Sequence, residues 1–96
     1  MSTEIIEKPK TRDPGAGLGG LWHIIVRNDD HNTFDGVAVA LSRVLPGVSI
    51  GRGFEFADEI HNQGRATVWS GQLEPAELYW EQLADSGLTM APLAQS

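Results

Sequence analysis

From residue 21 onward, the apolar residues of this chain switch between a spacing of two and a spacing of three to four. This switching constrains the fold more than any other feature of the sequence. Residues 21–27 alternate apolar and polar side chains, a pattern typical of a half-buried strand. Residues 33–45 place apolar side chains three and four positions apart, which predicts a helix that ends before Pro46-Gly47. Between them lies the polar segment Asn28-Asp29-Asp30-His31-Asn32.

A second helix follows the first. It is predicted from a Ser49 cap to about residue 63, and Gly64 is placed to end it in a left-handed conformation. Gly51 and Gly53 are expected to weaken its first turns by up to ~1 kcal/mol each. Its apolar side is predicted to carry Phe54, Ala57, Ile60 and His61, with Phe56 beside them.

Three further segments complete the pattern. They are a strand over residues 65–70, a helix over about 74–86 and a last strand over 88–93, which Pro92 limits to an edge or a short length. The predicted order is β-α-α-β-α-β. Such an order favours an α+β architecture in which a three-stranded antiparallel sheet is covered by three helices.

Composition and charge restrict the function. Residues 21–96 carry four arginines against ten acidic side chains, so the whole net charge of −6 lies on the predicted domain. An acidic surface repels phosphate backbones, which predicts no nucleic-acid partner and favours a cationic one. The chain has no cysteine, which excludes disulfides, thiolate metal sites and a cysteine nucleophile. No apolar run approaches the ~20 residues of a membrane helix, so no membrane association is expected.

Residues 1–20 contain two prolines and four glycines with almost no periodic apolar pattern, and they are predicted to form a flexible N-terminal arm. The domain is predicted over residues 21–96. The segment Gly15-Ala-Gly-Leu-Gly-Gly20 fits G-x-G-x-x-G but precedes a strand instead of opening a helix, so we interpret it as a linker. The acidic N-terminus does not resemble a signal peptide. We therefore expect a cytoplasmic protein, in the bacterial cytosol or the plastid stroma.

One set of polar residues is a candidate for chemistry. Asn28, Asp29 and Asp30 fall where a strand ends and a helix begins, and His61 falls near the end of the second predicted helix. If they converge, an amide, two carboxylates and an imidazole would form a cluster of hydrogen-bond acceptors. A protonated α-amino group, whose ordinary pKa is about 7.7–8.0, suits such a cluster.

Three segments carry a family resemblance. Trp22-His-Ile-Ile-Val-Arg-Asn28-Asp29-Asp30-His-Asn32-Thr-Phe34 resembles the strand, Asn-Asp-Asp and helix opening of the ClpS family. Glu59-Ile60-His61-Asn62-Gln63-Gly64-Arg65-Ala66 is similar to its second signature, Val-His-x-x-Gly-(Lys/Arg)-Ala. Glu77-Leu-Tyr-Trp-Glu-Gln-Leu and Ser86-Gly87-Leu88 are similar to its third helix and last strand. The resemblance covers about residues 21–93.

This resemblance implies an adaptor with no catalytic activity and no cofactor. It would bind N-degron substrates with Leu, Phe, Tyr or Trp as first residue and deliver them to a Clp-type AAA+ unfoldase, ClpA- or ClpC-like, coupled to ClpP. The implied site residues fall into four groups. Asn28, Asp29 and His61 would hold the α-amino group; Asp30 and Asn32 would lie beside the peptide backbone; Phe34, Val37, Ala57, Ile60 and Leu88 would line the hydrophobic pocket; Glu74 would contact the unfoldase.

The sequence also departs from the family pattern. The family usually has methionine where this chain has Phe34, and often another methionine at the position of Ala57. One wall of the pocket is therefore expected to be bulkier and the other smaller. A nearby lysine of the docking helix corresponds to Tyr79 here, so the docking surface is expected to differ as well.

Other interpretations stay open at this stage. Asn28-Asp29-Asp30 could form only a turn and a helix cap, and His61 could be a histidine at the edge of the core. Asp29 or Asp30 with His61 could serve an acid–base enzyme, or bind a divalent metal together with His31. A ClpS-like domain could also dock to the unfoldase without binding N-termini.

Overall fold

A computed structural model gives the architecture, and it describes residues 20–96. The predicted arm therefore lies outside the described residues, except for Gly20. The elements in chain order are β1 (Trp22–Arg27), α1 (Phe34–Val44), α2 (Ile50–Gln63), β2 (Arg65–Gly71), α3 (Leu73–Asp85), β3 (Thr89–Met90) and β4 (Ala94–Gln95). Three helices and an antiparallel sheet confirm the predicted α+β class.

The central strand of the sheet is β1. It pairs antiparallel with β2 on one side and with both β3 and β4 on the other. The prediction of a single last strand over residues 88–93 is wrong, because two strands of two residues take its place. Pro92 has no N–H to donate to the ladder. The Ala91 N–H still donates to the Ile25 carbonyl (3.0 Å), and pairing resumes only at Ala94.

The helices bury one face of this sheet. Ile24 and Val26 of β1 are almost fully inaccessible to solvent, as are Leu41 of α1 and Leu83 of α3. Their burial between sheet and helices contributes roughly 1.5–3 kcal/mol per side chain. The core thus lies where the alternating pattern of β1 places it.

A bulge in β2 changes the position of one tryptophan. Ile24 pairs with Trp69 and Ile25 pairs with Thr67, so Val68 is the extra residue. Strict alternation would put Trp69 on the same face as Thr67. The bulge instead places Trp69 opposite the buried Ile24, where its ring meets that of Tyr79 edge to face with centroids 5.2 Å apart.

Helices α1 and α2 pack closely at one glycine. Gly53 is buried on α2, and a Cβ atom at this position would lie 2.5 Å from the carbonyl oxygen of Ala38 on α1. Gly53 therefore permits the approach of the two helices, a role that its predicted cost to the helix did not indicate. The predicted ends of α2 are correct: the Ser49 hydroxyl accepts from the Arg52 N–H (3.0 Å), and Gly64 has φ +90°.

The apolar side of α2 differs from the prediction. Its buried residues are Gly53, Phe56, Ala57 and Ile60. Phe54, which the periodicity placed inward, is 40% exposed. Phe56, which the prediction placed beside this side, is 6% exposed and belongs to the core instead.

Candidate functional site

A pocket of about 290 Å³ lies between the β1–α1 loop, the start of α1 and the second half of α2. Nine residues line it: Asn28, Asp29, Asn32, Thr33, Phe34, Val37, Ala57, Ile60 and His61. Residues separated by more than thirty positions in the sequence therefore meet at one place. The cluster of an amide, a carboxylate and an imidazole lies next to a hydrophobic recess.

Three of the residues singled out from the sequence do not line this pocket. Leu88 is 6% exposed and belongs to the core. Asp30 is exposed in the β1–α1 loop, and Glu74 is exposed in the first turn of α3. Thr33, which the sequence analysis did not assign to the site, also lines the pocket. It caps α1 as well, since its hydroxyl accepts from the Gly36 N–H (2.9 Å).

The loop that carries the polar residues is tied to the end of α2. The Asn28 N–H donates to the Gly64 carbonyl over 2.9 Å. Gly64 adopts a left-handed conformation that ends the helix three residues after His61. This hydrogen bond places Asn28 and His61 on two segments that cannot separate without breaking it.

Asp29 is held by four hydrogen bonds from within the protein. Its Oδ1 accepts from the backbone N–H groups of His31 (3.0 Å) and Asn32 (2.8 Å). Its Oδ2 accepts from Asn32 Nδ2 and from Thr89 Oγ1, both over 2.7 Å. Asn32 Nδ2 also donates to the Gly87 carbonyl (2.9 Å). We call Asp29, Asn32, Gly87 and Thr89 the rim network.

This network determines the charge of Asp29. Its side chain is only 11% exposed, and desolvation by burial would raise its pKa. The hydrogen bonds from Thr89, Asn32 and His31 favour the carboxylate more strongly and hold the pKa well below its usual range. Asp29 is therefore negatively charged at neutral pH, and its four acceptor positions are already occupied.

The remaining polar groups of the pocket are available to a ligand. Within residues 20–96, neither the side-chain amide of Asn28 nor the His61 ring nitrogens form a hydrogen bond with another residue. The edge of the Phe34 ring meets His61, with centroids 5.4 Å apart and an angle of 67° between the planes. This contact orients the imidazole while leaving its nitrogens unbonded.

The walls of the pocket are apolar. Val37, Ala57 and Ile60 are all buried, and Phe34 covers one side while remaining 40% exposed. The small side chain of Ala57 leaves space on the side of α2. An apolar recess bordered by a few polar groups is the usual form of a site that binds a small ligand group.

Two larger hollows open elsewhere on the described surface. One, of about 700 Å³, lies between α1 and α3, and the other, of about 650 Å³, lies beside the α1–α2 loop. Neither is lined by an imidazole. Chemistry and not size therefore identifies the smaller pocket as the candidate site.

A metal site has no support in the described part of the chain. No group of three or more His, Asp or Glu side chains lies close enough there to hold a metal ion. Among residues 20–96, no helix is long and apolar enough to cross a membrane.

Sequence reasoning also missed Thr89, which contributes a hydrogen bond to the rim network. It lies sixty positions after Asp29 and was predicted only as part of a strand. No local pattern identifies it, because its contact arises when β3 pairs with β1 and Thr89 comes opposite Arg27.

The sequence is similar to a known protein family and to several of its named members. The family model described as ATP-dependent Clp protease adaptor protein ClpS matches residues 19–94. ClpS from Thermosynechococcus vestitus is 49% identical over 72 residues, which cover 75% of this chain and 77% of the relative. ClpS from Nostoc sp. is 47% identical over 72 residues, covering 75% and 74%. Both are named as adapter proteins.

A solved structure shows the same fold. Agrobacterium tumefaciens ClpS2, described as bound to L-phenylalaninamide, matches with a TM-score of 0.67 and 22% identity. The match covers 79% of this chain and 94% of that one. From the family match over most of its length and the identity to named relatives, we conclude that the chain belongs to the ClpS family of ATP-dependent Clp protease adaptor proteins.

Proposed function

We propose that the pocket binds the first residue of a protein that carries a free α-amino group and a large hydrophobic side chain. The chain would thereby act as an N-degron adaptor that delivers its cargo to a Clp-type AAA+ unfoldase, ClpA- or ClpC-like, coupled to ClpP. The observation that carries this proposal is the apolar pocket of about 290 Å³ bordered by the unbonded Asn28 and His61 and by the charge of Asp29.

The polar groups that border the pocket suit an ammonium group. The Asn28 amide oxygen and an unprotonated ring nitrogen of His61 can each accept a hydrogen bond from it. Asp29 contributes its negative charge at close range without exchanging the bonds of the rim network. Hydrogen bonds from a charged donor are roughly twice as strong as neutral ones. The polar groups would therefore select a free N-terminus.

The recess suits the first side chain. Val37, Ala57 and Ile60 offer only apolar surface. Burying a leucine or phenylalanine side chain contributes roughly 1.5–3 kcal/mol. The relative from Agrobacterium tumefaciens is described with L-phenylalaninamide, which joins a free α-amino group to an aromatic side chain. That ligand has the two features that this pocket is proposed to recognise.

A binding role fits this geometry better than acid–base catalysis. A general base must exchange a proton near neutral pH. The pKa of Asp29 lies far below that range because its carboxylate is held by the rim network. The naming of the relatives as adapters supports the same choice. Since those relatives come from Thermosynechococcus vestitus and Nostoc sp., we propose the bacterial cytosol as the compartment.

Calorimetry with short peptides tests the proposal. Peptides that begin with Leu, Phe, Tyr or Trp should bind with micromolar affinity or better. N-acetylated copies should bind at least about tenfold more weakly, since acetylation removes the charge and leaves the acceptors that the peptide covers without a donor, at a cost of roughly 1–3 kcal/mol. Equal binding of free and acetylated peptides would reject the proposed site.

A histidine pair provides a second test. His61→Ala should weaken binding of a Phe-led peptide by about tenfold, because it removes one acceptor of the ammonium group. His23→Ala is the matched control, since His23 bonds to Ser70 (2.6 Å) and Ser96 (2.9 Å) and does not line the pocket. Fluorescence anisotropy of a labelled peptide gives both affinities. The same loss in both variants, or in neither, contradicts the assignment of His61.

A further inference from the structure

An exposed apolar stripe on α2 leads away from the pocket. Phe54 is 40% exposed and Ile50 is 48% exposed, and they lie one turn apart on the same side of the helix. Ala57 follows Phe54 by three positions and His61 follows it by seven, so both pocket residues continue this stripe. We name Ile50, Phe54, Ala57 and His61 the α2 stripe.

The two exposed residues of the stripe have no role inside the protein. Phe54 lies outside the core cluster, and Phe56 fills the core position on this helix. Their neighbours on the exposed surface of α2 are polar, with Glu55, Asp58 and Glu59 beside them. A pair of large apolar side chains left in such surroundings and continuous with a pocket is typical of a contact surface.

The geometry points to the third residue of the bound substrate as the partner of Phe54, with an apolar side chain as the preferred one. This inference rests on the proposed function. In an extended chain, side chains alternate between two directions, so the third side chain faces the same surface as the first. Two residues of extended chain span about 7 Å.

This span matches the spacing along α2. Phe54 lies about 4.5 Å before Ala57 along the helix axis and about 10.5 Å before His61. With the first side chain against Ala57, the amino group at His61 and an extended chain running toward the start of α2, the third side chain would come level with Phe54. The fifth then approaches Ile50. The acidic neighbours of the stripe would disfavour an acidic side chain at the same place.

The test compares ligands of increasing length. L-Phenylalaninamide fills only the first position and serves as the reference. A peptide Phe-Ala-Phe-Ala should bind about three- to tenfold more tightly than Phe-Ala-Ser-Ala, as expected for an aromatic pair at the surface. Phe-Ala-Asp-Ala should bind most weakly of the three, because the neighbours of the stripe are acidic. Phe54→Ser should abolish the difference in affinity between the peptides with phenylalanine and with serine at the third position. The same variant should leave the affinity for L-phenylalaninamide unchanged.

A matched variant controls for the loss of an exposed apolar side chain. Leu78 of α3 is 51% exposed and does not belong to the stripe. Leu78→Ser should leave both affinities unchanged. Thermal unfolding of each variant verifies that the fold is intact, which the exposure of both residues leads us to expect.

The outcomes separate this inference from the proposed function. If L-phenylalaninamide fails to bind, the proposed function itself is wrong. If it binds and the third residue has no influence, only the role of Phe54 is overturned. A Phe54→Ser variant that changes the oligomeric state but not the peptide preference would assign the stripe to a contact between copies of this chain, and would overturn the inference as well.

Discussion

Asp29→Ala is expected to lower the free energy of unfolding by about 3 kcal/mol. Four hydrogen bonds to one carboxylate are lost, and those to a charged group are worth about 1.5–3 kcal/mol each before the donors find new partners. Thr89 Oγ1 and the Asn32 N–H are part-buried and cannot fully regain water. The total free energy of unfolding of a native protein is only about 5–15 kcal/mol, so such a loss is large. Urea denaturation measures it.

Asp30→Ala is the matched control for this loss. Asp30 is the next residue and is exposed, and within residues 20–96 it forms no hydrogen bond or ion pair with another residue. Its replacement should change stability by no more than about 0.5 kcal/mol. A similar loss of stability in both variants would contradict the prediction, because it would show that the loss does not come from the rim network.

The contribution of Asp29 should depend on pH in a defined direction. In the unfolded chain its pKa returns to about 3.9, whereas in the folded protein the rim network holds the pKa below that value. The contribution is therefore fully present above the unfolded pKa and is lost as the pH falls through the folded one. The difference in stability between the wild-type chain and Asp29→Asn should be constant above about pH 5 and shrink below about pH 4. A difference that grows on acidification contradicts this.

Gly53→Ala is expected to lower the free energy of unfolding by about 2 kcal/mol. The added methyl group would lie 2.5 Å from the Ala38 carbonyl oxygen and 3.1 Å from its carbonyl carbon, both backbone atoms that cannot rotate away. Overpacking of this kind costs typically 1–3 kcal/mol. Since α2 also carries Ala57 and His61, a displaced helix should weaken peptide binding too.

Gly51→Ala, on the same helix, is expected to raise the free energy of unfolding instead of lowering it. A Cβ atom at position 51 would meet only the Ser49 hydroxyl at 3.9 Å, an ordinary contact. Alanine is the better helix former by about 1 kcal/mol, so this variant should be more stable than the wild-type chain. Thermal and urea unfolding of the two variants measure the contrast. A stabilising Gly53→Ala would mean that α1 and α2 do not approach as described.

Local patterns predicted the element order because β1, α1 and α2 carry clear periodicities and end at strong signals such as Pro46-Gly47 and Gly64. They failed where tertiary contacts decide. The bulge that turns Trp69 toward Tyr79 depends on the pairing of β2 with β1. The buried side of α2 includes Gly53 and Phe56, whereas Phe54 lies outward, and the periodicity alone did not show which phenylalanine faces the core.

The candidate site, too, could be predicted only in part from the sequence. The residue types of Asn28, Asp29 and His61 and their resemblance to a family indicated a cluster, and the structure places all three at one pocket. The sequence could not separate their roles. Only the contacts with Thr89 and with the Asn32 amide reveal that Asp29 is saturated with internal partners, whereas Asn28 and His61 are not.

The hydrogen bond between Thr89 and Asp29 has a consequence for biosynthesis. The loop that borders the pocket is made before β3 during translation, but the hydroxyl that fixes it belongs to Thr89 of β3, sixty residues after Asp29. A nascent chain still inside the ribosomal tunnel lacks this contact and the pairing of β1 with β3 and β4. The loop should therefore reach its final geometry only once β3 has left the tunnel and paired with β1.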